Sequence, residues 1–170
     1  MANGDSERGE FDPAEPEPQR EERFELGTDG PLVILAGVDE SVTALRAGAY
    51  AAGLARRQQA RLIVVYVAPT PYVVGASAAA AGVVAAEAEA HQQIAAELRA
   101  QVEEAMRDRG ISVTFREAHG DPFTEIRRIA DEVRADAIVV GASMKAGHKL
   151  VGSLAVRLVR AGKWPVTVVP

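Results

Sequence analysis

Residues 137–170 read AIVVGASMKAGHKLVGSLAVRLVRAGKWPVTVVP, and the order of textures in this stretch decides the fold. Ala137-Ile138-Val139-Val140 is a short aliphatic run of the kind found in a strand buried on both faces. Gly141 to Gly152 follows as a glycine-marked loop, Ser153 to Ala161 carries a helical pattern, and Val166-Thr167-Val168-Val169 is a second apolar strand. Two buried-type strands joined through a helix pair in parallel, by a right-handed crossover.

The same unit recurs toward the amino terminus. Leu32 to Val38 is a continuous aliphatic strand ended by Asp39-Glu40-Ser41. Beyond it Ala44, Leu45, Ala47, Gly48, Tyr50, Ala51, Leu54 and Ala55 fall at helical spacing, with Asp39 or Ser41 as the N-cap. Leu62 to Val67 is a second strand, stopped by Ala68-Pro69-Thr70-Pro71. A long amphipathic helix is predicted from Ala79 or Val83 to Arg109, with Ile94, Leu98, Val102 and Met106 on one stripe and Gly110 as its carboxyl cap. Ile111 to Glu117 alternates apolar and polar residues, so this third strand belongs at an edge. After a turn at Ala118 to Pro122, a helix runs to Arg134, with Asp121 as N-cap, Pro122 at the first position and Phe123, Ile126, Ile129, Ala130 and Val133 toward the sheet.

Strict alternation of strand and helix predicts one α/β domain over residues 30–170, an open, doubly wound, five-stranded parallel sheet with helices on both faces. If strands two and three lie on one side of strand one, and four and five on the other, strand order reverses between strands one and four. Ligands of open parallel sheets bind in that crevice, and Asp39 and Gly141 become its lips.

Composition narrows the function. The 170 residues are 48% hydrophobic and include no cysteine, which removes disulfides, thiolate chemistry and cysteine-held metals and points to a reducing compartment. The three histidines, His91, His119 and His148, are too scattered for a metal pattern, and His91 and His119 read as surface or structural groups. Residues 1 to 30 hold ten acids and three arginines, a net of −7, while the remainder, with 14 acids and 16 bases, stands at +2. A body so near neutral offers no general nucleic-acid footprint. Residues 1–29 are rich in Glu, Pro and Gly and read as a disordered acidic tail, with an interaction arm as the alternative. Without a basic start and apolar stretch there is no export signal, so a cytoplasmic location is expected. Val73 to Ala86 spans only 14 residues before Glu87, short of the roughly 20 needed to cross a bilayer.

The loop GASMKAGHKLVGS has the ingredients of an anion cradle: Gly141, Gly147 and Gly152 permit close backbone approach, Lys145, His148 and Lys149 add positive charge, and Ser153 opens a helix. It is neither a P-loop nor a GxGxxG turn. The competing reading is a turn and packing device with a solvated basic face, and Asp39 has a competing reading as a helix cap. Ser41, Ser143 and Ser153 have no histidine in a nucleophile setting, so no dedicated enzyme is expected.

With these pieces in place, Leu32 to Pro170 resembles the universal stress protein family. The matching blocks are VILAGVDES, LIVVYV, GDPFTEIRRIADEVRADAIVVGAS and GSLAVRLVRAGKWPVTVV, in that order. The resemblance implies the fold deduced above, a homodimer formed through the last strand, Val166 to Val169, and membership of a family divided between ATP-binding and non-binding proteins. It implies an adenine-nucleotide site built from Gly37, Val38 and Asp39, from Val67, from Val140 and Gly141, and from Met144, Gly147, Gly152, Ser153 and Leu154, with Mg2+ entering only with the nucleotide. In such sites Asp39 holds the ribose and adenine side, backbone near Val67 meets adenine, and the phosphates lie on a loop of pattern G-x2-G-x9-G-[ST]. Here Met144 stands at the second glycine, only seven residues separate it from Gly152, and Ala155 lacks the hydroxyl that some binders use. A methionine there restricts the backbone, and the shorter loop redraws the cradle, with Gly147 as a substitute flexible point. Two alternatives stand beside a nucleotide-responsive regulatory dimer: an interaction module that binds no nucleotide, and a slow ATPase.

Overall fold

The computed structural model describes residues 30–70, 78–107, 110–143 and 152–170. The acidic tail 1–29 and the loop positions Met144, Lys145, Gly147, His148 and Lys149 lie outside the described residues. The elements are β1 (Val33–Val38), α1 (Val42–Gln58), β2 (Arg61–Ala68), α2 (Ala78–Arg107), β3 (Val113–His119), α3 (Pro122–Val133), β4 (Ala137–Gly141), α4 (Ser153–Ala161) and β5 (Val166–Val169).

The five strands are parallel and ordered β3-β2-β1-β4-β5, the predicted doubly wound sheet with its reversal between β1 and β4. Strand alternation divides the core into two layers. Ile34, Ala36, Leu62, Val64 and Tyr66 point toward α1 and α2, where Ala47, Ala51, Ala55, Ala95 and Leu98 meet them. Leu35, Ile63, Val65, Ile138 and Val140 point to the other side, against Ile126, Ile129 and Ala130 of α3 and Ala155 and Leu158 of α4. Each fully buried Leu, Ile or Val contributes about 1.5–3 kcal/mol, so the aliphatic runs that define the strands also supply most of the driving force.

Several expectations shift. The inward face of α1 is made of Thr43, Ala44, Ala47, Ala51, Ala52 and Ala55, whereas Leu45 and Tyr50, expected on that stripe, are each 44% exposed. Alanines bring the helix axis close to the sheet, and no room is left for larger groups. The third strand begins at Val113 rather than Ile111 and runs through Ala118 and His119, because β2 offers partners as far as Ala68 opposite His119. Ala118 is buried against the α3 layer, so the expected turn starts only at Gly120, which has a positive φ.

The amino end of α1 lies hard against the carboxyl end of β4. A Cβ added to Gly141 would stand 2.6 Å from the Ala44 nitrogen and 2.7 Å from the Thr43 carbonyl carbon, both backbone atoms that cannot step aside. Gly141→Ala is therefore expected to destabilise the protein by about 1–3 kcal/mol in urea denaturation, in the range of core overpacking.

Candidate functional site

A cleft of about 550 Å3 opens at the carboxyl ends of β1, β2 and β4, on the side of the sheet covered by α3 and α4. Gly37, Val65, Val67 and Ile126 form an apolar floor, Val38, Asp39, Ser41 and Ala44 one wall, and Gly141, Ala142, Ser143, Gly152, Ser153 and Leu154 the opposite wall. Parallel strands deliver these distant segments to one place, because every strand in the sheet ends on the same side.

Polar contacts bind the two lips together. The Ser41 N–H donates to Asp39 Oδ1 at 2.8 Å, and Ser41 Oγ caps α1 by accepting from the Ala44 N–H at 3.2 Å. Ser41, not Asp39, is thus the cap; Asp39 only braces the turn. The Thr43 hydroxyl, on a residue only 2% exposed, donates to the Ala142 carbonyl at 2.7 Å, across the crevice. With its single proton committed there, Thr43 Oγ1 accepts from the Ser41 hydroxyl at 3.2 Å. A chain of hydrogen bonds therefore runs from the end of β1 to the end of β4, and the Asp39 side chain stands exposed at its start.

The opposite wall is built differently. A Cβ on Gly152 would come within 2.9 Å of Ser143 Cβ, so the two ends of the loop that separates β4 from α4 touch at its base. Gly152 is also the N-cap of α4 and, having no side chain, makes no cap hydrogen bond of its own, unlike Ser41 at α1 and Asp121 at α3. Such an end is electropositive and presents donors to an anion.

Most residues anticipated for the site are brought together: Gly37, Val38, Asp39, Val67, Gly141, Gly152, Ser153 and Leu154 all line the cleft. Val140 does not line it; its side chain is 1% exposed in the core layer beneath. Met144 and Gly147 fall outside the described residues. Ser41, Ala44, Val65, Pro122, Ile126, Ala142 and Ser143 join the lining without having been anticipated. Pro122 and Ile126 had a legible signal, because a parallel sheet puts the amino end of every crossover helix at the ligand end. Of the two described histidines, His91 shares a 2.9 Å hydrogen bond through Nδ1 with the Tyr66 hydroxyl, and His119 lies 3.7 Å from Glu117. Burial first, then the carboxylates of Glu40, Glu117 and Asp39, push the Tyr66 phenol above its ordinary value, so it stays protonated. Among the described residues no group of three or more His, Cys, Asp or Glu is arranged to hold a metal, and no helix is long and apolar enough to cross a membrane.

An ion pair between described residues stands at the cleft's edge. Arg157 of α4 grips Asp121 with both terminal nitrogens, at 2.9 and 3.0 Å, while its guanidinium lies 4.2 Å from the centre of the Phe123 ring. Asp121 Oδ1 also accepts from the Thr124 N–H at 3.0 Å, capping α3, and from the Thr124 hydroxyl at 2.8 Å.

An open parallel sheet in this strand order, with helices on both faces and a cleft at its reversal point, defines a doubly wound α/β protein. The universal stress protein family model matches residues 32–170, and the chain belongs to that family. It is similar in structure to the universal stress protein UspA from Lactobacillus plantarum, with 27% identity and a TM-score of 0.66 over 81% of this chain and 97% of the other. A universal stress family protein from Burkholderia pseudomallei is likewise 27% identical, with a TM-score of 0.61 over 82% and 96% of the two chains. A universal stress protein in complex with cAMP is 26% identical, with a TM-score of 0.62 over 82% and 97%. No curated protein matches the sequence.

The Arg157 hydrogen bonds foremost, then those of Thr124, hold the Asp121 carboxyl down from 3.8 to about 2. A carboxyl lowered on folding contributes stability in full above the free-chain value of about 3.9, and the contribution is lost as pH falls through the folded value. Both side chains are nearly half exposed, so solvent screening limits the pair to about 1 kcal/mol. The stability difference between the native chain and Asp121→Asn is expected to be constant above about pH 4 and to shrink toward pH 2, as read from urea midpoints across that range.

Proposed function

We propose that this protein is a stress-response protein of the universal stress type that binds an adenine nucleotide in the β1/β4 cleft and acts by regulation rather than turnover. The observation that carries the reading is the pairing of opposite chemistries across one cleft, the Asp39 carboxylate on one lip and the glycine-started amino end of α4 on the other. A nucleotide has the same polarity: hydroxyls at the ribose, which a carboxylate accepts, and negative charge at the phosphates, which helix N–H groups stabilise. Val38, Val65 and Val67 offer an apolar bed for a base, and a volume of about 550 Å3 lies within the roughly 300–1,000 Å3 of small-molecule sites. The cAMP complex of a relative 26% identical supports the same class of ligand. Mg2+ would accompany the phosphates rather than occupy a protein-built site.

Isothermal calorimetry with ATP and Mg2+ tests this directly. The native chain gives a saturable heat, and Asp39→Ala weakens binding at least tenfold, about 1.4 kcal/mol or more. Absence of heat at high protein concentration, together with no nucleotide released from freshly purified protein, overturns it and favours an interaction module that binds no nucleotide. Phosphate release well above buffer that Asp39→Ala abolishes would instead support the slow ATPase.

The reading includes a homodimer through β5. That strand lies at the sheet edge, and its four residues Val166, Thr167, Val168 and Val169 are all only half-buried. An apolar edge of this kind invites pairing, which a second copy provides. Light scattering is expected to give twice the chain mass of 18.0 kDa, and a single-chain mass at micromolar concentration rejects the dimer.

A further inference from the structure

We propose that Asp121 and Arg157 are positioning residues that hold the amino end of α4 at the distance a phosphate group requires. This rests on the nucleotide reading above.

α4 has only nine residues and buries only Ala155 and Leu158, so the sheet gives it limited lateral restraint. Two ion pairs tie it to α3 instead. At the far end Lys163, just past the helix, pairs with Asp131, and at the cleft end Arg157 pairs with Asp121. The cleft-end pair is the more directional: a planar guanidinium that meets both carboxylate oxygens and stacks on Phe123 has little freedom to pivot. Its carboxylate is fixed in turn by the Thr124 N–H and hydroxyl. Arg157 sits one turn after Ser153, whose residue lines the cleft, and Asp121 directly precedes Pro122, which lines it from α3. The clamp therefore registers the two helix ends that flank the cleft, at the wall where phosphate would lie. Donors aimed in advance at an anion bind it without the cost of reordering.

The competing role for Arg157 is to leave Asp121 and contact the ligand itself. The two roles respond oppositely to Asp121→Asn, which keeps a good N-cap for α3 and removes the carboxylate that Arg157 grips. Calorimetry on the full chain with Mg2+-ATP and with adenosine is expected to show Asp121→Asn and Arg157→Ala each weakening ATP at least tenfold while adenosine stays within twofold. Lys163→Ala, which breaks the far pair, leaves both ligands unchanged. Without ligand, the amide resonances of Ser153, Leu154 and Ala155 shift in Asp121→Asn and not in Lys163→Ala. ATP bound equally well or better by Asp121→Asn, or an equal loss of ATP and adenosine, overturns the positioning role. If the native chain binds neither ligand, the nucleotide reading falls and the clamp's role with it; if the native chain and all variants bind ATP alike, only the clamp's role falls.

Discussion

The amino end of α1 and the carboxyl end of β4 meet backbone to backbone, and the site depends on that meeting. Gly141 has no room for a Cβ because Thr43 and Ala44 lie against it, and the buried Thr43 hydroxyl bonds the Ala142 carbonyl beside it. A buried hydroxyl left without its partner costs roughly 1–3 kcal/mol, so the contact is enforced by polar satisfaction as well as by packing. Because α1 follows β1 directly, docking its first turn on β4 sets the separation of the two strand ends. The crevice acquires its width from a helix that belongs to one lip and is bonded to the other.

From this contact the electrostatics follow. Ser41 must cap α1, since its Oγ already lies in the chain that reaches Thr43, and this leaves Asp39 to brace the turn with one oxygen and face solvent with the rest of its carboxylate. Across the cleft, Gly152 passes close to Ser143, which leaves no room for a side chain at the N-cap position of α4. The negative lip and the positive lip are thus products of steric constraints, one at each end of the same gap. A ligand with hydroxyls at one end and anionic charge at the other meets both.

The strands, their parallel pairing and the place of the cleft were legible because buried strands announce themselves as aliphatic runs and because alternation with helices admits few topologies. Val166 to Val169, Ser153 to Ala161 and the Asp121-Pro122 helix start were read to the residue. The face of α1 was not, because alanine, leucine and tyrosine all satisfy a helical period and only the distance between helix and sheet decides which is admitted. Val140 illustrates the same gap at the site: adjacency to Gly141 suggested the cleft, while strand alternation turned its side chain into the core. Contacts such as Arg157 with Asp121, 36 residues apart, follow from tertiary placement alone.

The geometry also changes what the loop's glycines mean. Gly141 and Gly152 match a phosphate-loop pattern, yet each is required by a contact within the protein: Gly141 by the backbone of α1, and Gly152 by Ser143. Both would be needed with no ligand at all. Their presence therefore says little about phosphate, and Met144 or a loop two residues short weighs correspondingly less against it. What distinguishes a nucleotide cleft from a mere crossover is the chemistry that packing does not demand. The helix cap could have been supplied with Ser41 alone, yet a carboxylate, Asp39, stands exposed at the lip, facing an α4 whose amino end is held in register by Arg157. It is this opposition of charge across the gap, more than the glycine spacing, that the proposed nucleotide would meet.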